Sequence, residues 1–198
     1  MPSHIFTRVG AWQESVRANQ ASAKSGTDKT FDKWHAYDYM VYAYLQLGED
    51  SAACKVVTEA LGNQARVDHF ATAYAYAAMP ARLAVERGNW QEAARLDLAP
   101  NDGFPWAKYP QAKAINAFAR GLGSAMTGDA AVALREFESV LEQEPNRLAA
   151  FAGAADAAQR AGDSEKAQGY LAKVMELTKT ADTPVSEVAQ VKRLLGRQ

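Results

Sequence analysis

Four kinds of side chain in the first half of this 198-residue chain could do chemistry together. They are the imidazoles of His4 and His35, the carboxylate of Asp38, the phenol of Tyr42 and the guanidinium of Arg82. Such a set suits a polar ligand or a peptide carboxylate, because a guanidinium can grip a carboxylate through two parallel N–H bonds. The plain structural alternative is that Asp38 on one helical pair bonds Arg82 on the next and fixes how they stack. Satisfied structural pairs are commoner than functional ones. A metal site is not expected. Asp38 lies one turn beyond His35, but a metal needs three or four convergent ligands, and no HExxH or CxxC supports one. The lone Cys54 stands beside Ala52 and Ala53 in a helical stretch and is expected to be a buried, inert thiol. No GxSxG elbow, Walker loop or GxGxxG occurs, and Gly121-Leu122-Gly123 is only GxG inside a helical pattern. Glu142 and Glu144 sit at a surface helix end. The reading is therefore of a protein with no catalytic residues and no cofactor.

The elements that must position these groups are marked by glycine. Gly10, Gly48, Gly88, Gly128 and Gly162 each follow an apolar helical stretch and precede another, at intervals of 38, 40, 40 and 34. Glycine suits a helix end because it reaches the left-handed conformation without a Cβ penalty. Asp or Asn just after it can cap the next helix, as at Asn89, Asp129 and Asp163. Five residues after each glycine comes Ser15, Ala53, Ala93, Ala133 or Ala167, and seven before lies Ser3, Val41, Ala81, Gly121 or Ala155. Small residues facing each other let two antiparallel helices approach closely, so five helical hairpins are expected.

Bulk properties narrow the classes. Lys plus Arg is 22 against 23 for Asp plus Glu, a net charge of −1, which argues against nucleic acid. No run of about 18 apolar residues suggests a membrane span, and the N-terminus lacks a secretory h-region. One cysteine fits a reducing compartment, so a cytoplasmic location is expected.

From Ala114 to Leu177 one pattern is written twice. Gly128-Asp129 recurs as Gly162-Asp163, Ala133 as Ala167, Phe137 as Leu171 and Val140 as Val174, each 34 residues on. This period, with its Gly, Ala, Phe and Pro layout, resembles the tetratricopeptide repeat (TPR). The earlier units are degenerate. PSHIFTRVGAWQESV, HAYDYMVYAYLQLG, MPARLAVERGNWQEAA and FPWAKYPQAKAINAFARGLG are also similar to the C-terminal part of a larger bacterial TPR family. No activity follows from that resemblance. It implies that the chain is a fragment or a short variant of a longer protein.

The resemblance implies an all-α fold: a right-handed superhelical solenoid of about five TPR-like hairpins plus a C-terminal capping helix. Residues 1–198 are then one domain. Residues 1–30 form a truncated first hairpin, 31–63 the second and 64–98 the third. An aromatic, proline-rich loop covers 99–110, pinned by Phe104, Trp106 and Tyr109. The fourth hairpin covers 111–146, the fifth 147–180 and the cap 181–198. Pro80 is expected to kink or break its helix, and the helix from Trp90 is expected to reach Leu96.

In such a solenoid the first helix of each hairpin lines the concave face. Counting back six, ten and thirteen residues from the turn glycines places His4, His35, Asp38, Tyr42, Arg82 and Phe118 on the inner stripe. That stripe is polar in the first half and mostly Ala, Ile, Leu and Phe in the second. The leading reading is a scaffold holding a protein or peptide partner in the groove. The alternative is a small-ligand or catalytic site built from the His/Asp/Tyr/Arg cluster. Ile5, Phe6 and Val9 lack an upstream neighbour, so the N-terminal end is expected to contact something, a second copy being one candidate.

Overall fold

A computed structural model of the chain describes residues 2–27, 29–63, 67–100, 103–181 and 185–189. Among the described residues the regular elements are all helical. Helices α1 (Pro2–Arg8) and α2 (Trp12–Ser25) form the short first pair, α3 (Asp32–Leu47) and α4 (Asp50–Gly62) the second. Then come α5 (Phe70–Glu86), α6 (Trp90–Ala93), α7 (Pro110–Thr127), α8 (Ala130–Gln143), α9 (Leu148–Arg160) and α10 (Ser164–Leu177). The capping helix expected after Pro184 falls almost wholly outside the described residues, although positions 186–189 are helical.

The five turn glycines all have positive φ, between 64° and 93°. An L side chain there would carry a Cβ clash, so these positions act as helix stops. The capping expectation holds at three turns. The side chains of Asn89, Asp129 and Asp163 accept from the backbone N–H groups of Glu92, Val132 and Lys166. Both sets of small residues counted from the glycines are buried, Ser3, Val41, Ala81, Gly121 and Ala155 on one side and Ser15, Ala53, Ala93, Ala133 and Ala167 on the other.

The chain divides into two compact units. The first contains residues 1–88 and 97–116, the second residues 89–96 and 117–198. In the first, α3 packs against α2, α4 and α5, and α1 rests on α2 and touches α3. Its core centres on Trp34, Tyr37, Val41, Tyr76 and Met79. The loop before α7 belongs to this unit and is held by its aromatics. Phe104 is buried edge-on to Tyr76 at 5.4 Å and lies 4.8 Å from Trp106, whose indole donates to the Pro100 carbonyl at 2.9 Å. A short 3-10 turn (Trp106–Lys108) leads into α7, which opens on Pro110 where a missing N–H costs nothing.

The second unit packs α8 against α9 and α9 against α10. Phe137 is its pivot. Its ring fills the space a Cβ would need at both Gly121 and Gly153, where the nearest ring atoms would lie at 2.9 and 2.6 Å. Gly123 sits closer still to backbone, 2.3 Å from the Ala94 nitrogen if a Cβ were added.

Three local expectations are corrected. Pro80 does not break α5, which runs on to Glu86. The proline removes one i→i−4 bond, while flanking bonds and the buried Ala73, Ala77, Met79, Ala81 and Ala84 hold the helix together. The helix at Trp90 stops at Ala93, short of Leu96, because residues 94 and 95 are already in a turn. Cys54 is exposed. Ala53, Val56, Val57 and Ala60 form the buried stripe of α4, and position 54 lies off it.

Gly123→Ala should destabilise the protein by about 1–3 kcal/mol in chemical denaturation, through overpacking against backbone. Gly169→Ala, on α10 where an added Cβ meets nothing within 4 Å, should stabilise by about 0.5–1 kcal/mol. Equal effects of the two substitutions would contradict the packing described for Gly123.

Candidate functional site

Five of the six residues expected to face a ligand meet in the first unit. Arg82 on α5 donates through Nη1 to Asp38 Oδ1 on α3 at 2.5 Å. The same nitrogen approaches the Asp38 carbonyl at 3.4 Å. The guanidinium lies over the Tyr42 ring, 5.2 Å from its centre, and Trp12 of α2 meets that ring edge-on at 5.6 Å. The structural pairing of Asp38 with Arg82 is therefore made. It does not close the site. Thr7, His35, Asp38, Tyr39, Tyr42, Tyr74 and Arg82 line a cleft of about 330 Å³.

Further bonds hold α3 and α5 in register beyond the cleft. Arg87 donates to Asp50 at 2.7 Å and to the Leu45 carbonyl at 2.5 Å, and Gln46 donates to Glu86 at 3.0 Å. At the opposite end of α5, His69 acts as the N-cap. Its Nδ1 accepts from the Ala71 N–H at 3.0 Å, and its ring stacks on Phe31. These contacts fix where Arg82 can reach.

Two imidazoles meet beside it: His35 lines the cleft, while His4 does not line it and reaches the site only through His35 and Tyr39. The Nε2 atoms of His4 on α1 and His35 on α3 are 3.1 Å apart. One ring must carry its proton on Nε2 and the other must present a bare nitrogen. The His4 ring also stacks on Tyr39 at 4.5 Å, and His35 meets Tyr39 edge-on at 5.2 Å. Among the described residues no group of three His, Cys, Asp or Glu is placed to hold a metal ion.

The electrostatics follow from burial. Loss of water pushes the Asp38 carboxyl above its ordinary range, with the Arg82 charge pulling the other way. Burial would lower Arg82, but the Asp38 charge and hydrogen bond overcome it and hold the guanidinium protonated. Burial, then the His35 and Arg8 charges among others, hold His4 below the usual 6.5. Tyr39 is raised by burial and by the Asp38 charge.

The sixth residue, Phe118, belongs to the second unit. Its ring lies 5.7 Å from that of Phe137 and under the Arg147 guanidinium at 4.9 Å. Three cleft-lining residues were not among the expected ones: Thr7, Tyr39 and Tyr74. Thr7 lies three residues after His4, and Tyr39 four residues after His35, on the same helical faces. Tyr74 lies eight before Arg82, again one face of one helix. Extending the stripes by one turn from the known members would have found Thr7 and Tyr39, and by two turns Tyr74.

Because the folded His4 binds its proton less readily than the unfolded chain does, protonation favours unfolding. The contribution of neutral His4 is intact above pH 6.5 and is lost as pH falls from there through its lowered folded value. An NMR titration should place the His4 midpoint below 6.5, and His35→Ala should raise it. Removing the cation from its buried partner should cost more. Arg82→Ala is expected to lower stability by about 3–5 kcal/mol, and Asp38→Asn in the same chain should recover part of that loss in denaturant unfolding.

Comparisons with known proteins agree on the fold. The chain matches no known protein-family description, and no curated protein matches it either. Solved structures do match. A double mutant of MamA RS-1 superposes with a TM-score of 0.59 at 18% identity, covering 92% of this chain and 93% of that one. The segment of MamA from residue 41 to its end, from Desulfovibrio magneticus RS-1, gives 0.59 at 17% identity over 91% and 93%. MamA is a TPR-containing protein, and this chain has the same all-α, TPR-like solenoid fold.

Proposed function

We propose that the chain is a protein-interaction scaffold whose first unit takes a segment of a partner through a carboxylate, with His4, His35, Asp38, Tyr42 and Arg82 forming the receiving site. One observation carries this reading. Arg82 spends only Nη1 on Asp38; among the described residues its Nη2 and Nε have no hydrogen-bond partner. Asp38 thus orients the fork without consuming it. A carboxylate entering the cleft would find a fixed, always charged donor pair backed by the Tyr42 ring. Among the described residues the hydroxyls of Tyr39, Tyr42 and Tyr74 likewise have no hydrogen-bond partner and can donate to ligand carbonyls. The TPR-like fold supports a protein partner over a free metabolite. Phe118, in the second unit, is proposed as a contact of that unit by itself.

A second reading has one observation behind it. The cleft volume of about 330 Å³ lies at the lower end of the range for small-molecule sites. Small carboxylic acids are therefore the natural competitor to test.

Titrating the full chain with N-acetylated peptides ending in a free carboxylate should shift the resonances of Tyr39, Tyr42 and Tyr74. Arg82→Lys keeps the charge beside Asp38 but removes the fork, and should weaken binding about tenfold or more. Unchanged affinity in that variant would remove the cleft as the receiving site. Saturation by acetate or succinate as tight as by any peptide would favour the small-ligand reading.

A further inference from the structure

The cleft is one end of a longer surface. Phe70, Tyr74, Ala78 and Arg82 recur every four residues along α5, so each neighbours the next in a stripe that winds gradually round that helix. Ala78 is buried, but the two aromatics are not: Phe70 is 48% exposed and Tyr74 37%. Their rings lie 6.1 Å apart, and Tyr109 adds a third ring 6.5 Å from Phe70. Tyr74 also lines the cleft, so the aromatic patch and the guanidinium are continuous through one side chain. Tyr109 is tied down. Its hydroxyl donates to Asp68, which also takes Lys108, and its pKa is pushed up to about 12 by burial and that bond. A clustered, exposed set of large aromatic rings beside a charged anchor is the composition that binding surfaces enrich.

We infer that the partner segment is an extended peptide carrying a carboxylate at the Arg82 end and an aromatic or large aliphatic side chain about five residues away, seated on Phe70, Tyr74 and Tyr109. This rests on the carboxylate-binding reading above and adds the second anchor. The charge at one end selects the ligand's polarity: an open guanidinium edge calls for an anion, and the phenyl patch calls for an apolar side chain. The separation follows from helix geometry. From Phe70 to Arg82 is twelve residues, or about 18 Å of helix. An extended peptide advances about 3.3 Å per residue, so five residues span about the same distance. The carboxylate can be a chain terminus or an Asp or Glu side chain, since Arg82 offers the same fork to each.

The test is a spacing series on the full chain. Peptides of neutral residues carry one Phe placed one to eight positions from a C-terminal carboxylate, with a matched set carrying an internal Glu and an amidated end. Fluorescence anisotropy should show affinity peaking at a spacing of four to six, about tenfold above spacings of one or two. Phe70→Ala should flatten that profile while leaving carboxylate-dependent binding, whereas Arg82→Lys should weaken every peptide. The matched sets say which carboxylate is taken: a loss confined to the amidated peptides assigns the chain terminus, and equal profiles admit both. A flat profile in the unmodified protein, with binding still weakened by Arg82→Lys, overturns the second anchor and leaves the carboxylate site standing. No binding by any carboxylate peptide overturns both.

Discussion

Two antiparallel helices that touch through Ala, Ser and Gly have little room for error, and that close approach governs the rest of this protein. It demands a turn short enough to bring the arms together, which the left-handed glycines supply. It favours small residues seven before and five after each glycine, which nine of the ten are, and all ten are buried. Once the register is set at the turn, every other position on the hairpin acquires a fixed facing. The inner stripe is a consequence of this arithmetic. His35, Asp38 and Tyr42 come to the cleft because Gly48 ends their helix where it does, and Arg82 meets them because Gly88 ends its own.

Within that frame Asp38 is an unusual choice for a buried position. A carboxylate removed from water is costly unless paired, and Arg82 supplies the pair. The arrangement joins two hairpins and at the same time aims a cation into a cleft. The one-sided use of the guanidinium allows both. A bidentate Asp38–Arg82 fork would have been a purely internal bond, whereas a bond through Nη1 alone leaves the outer edge of the group for something else. Tyr42, under the guanidinium and braced edge-on by Trp12, then restricts where that edge can point.

Much of this was legible in the chain. The turns, the small-residue pairs and three of the caps follow from short-range rules about glycine and Asp or Asn, which do not depend on distant partners. The meeting of Asp38 with Arg82 could be anticipated because both were counted from glycines of adjacent hairpins. What escaped was set by tertiary packing. Propensity marks Pro80 as a breaker, but a helix buried along most of its length stays helical past it. Cys54 was placed inside because its neighbours are small and apolar, yet one step along a helix turns a side chain by about 100° and brought it out. The exposure of Phe70 depends on how neighbouring helices cover one another and leaves no mark on local sequence.

The ring of Phe137 has a dynamic consequence. It occupies the hollows left by two glycines on two different helices, α7 and α9. Sliding α8 by a single residue along either neighbour would put another side chain against a hollow shaped for this ring, and would drive the ring into backbone. Packed interiors do not deform continuously to accommodate such a step. Phe137 is therefore a tooth that resists sliding of α8 along α7 and α9.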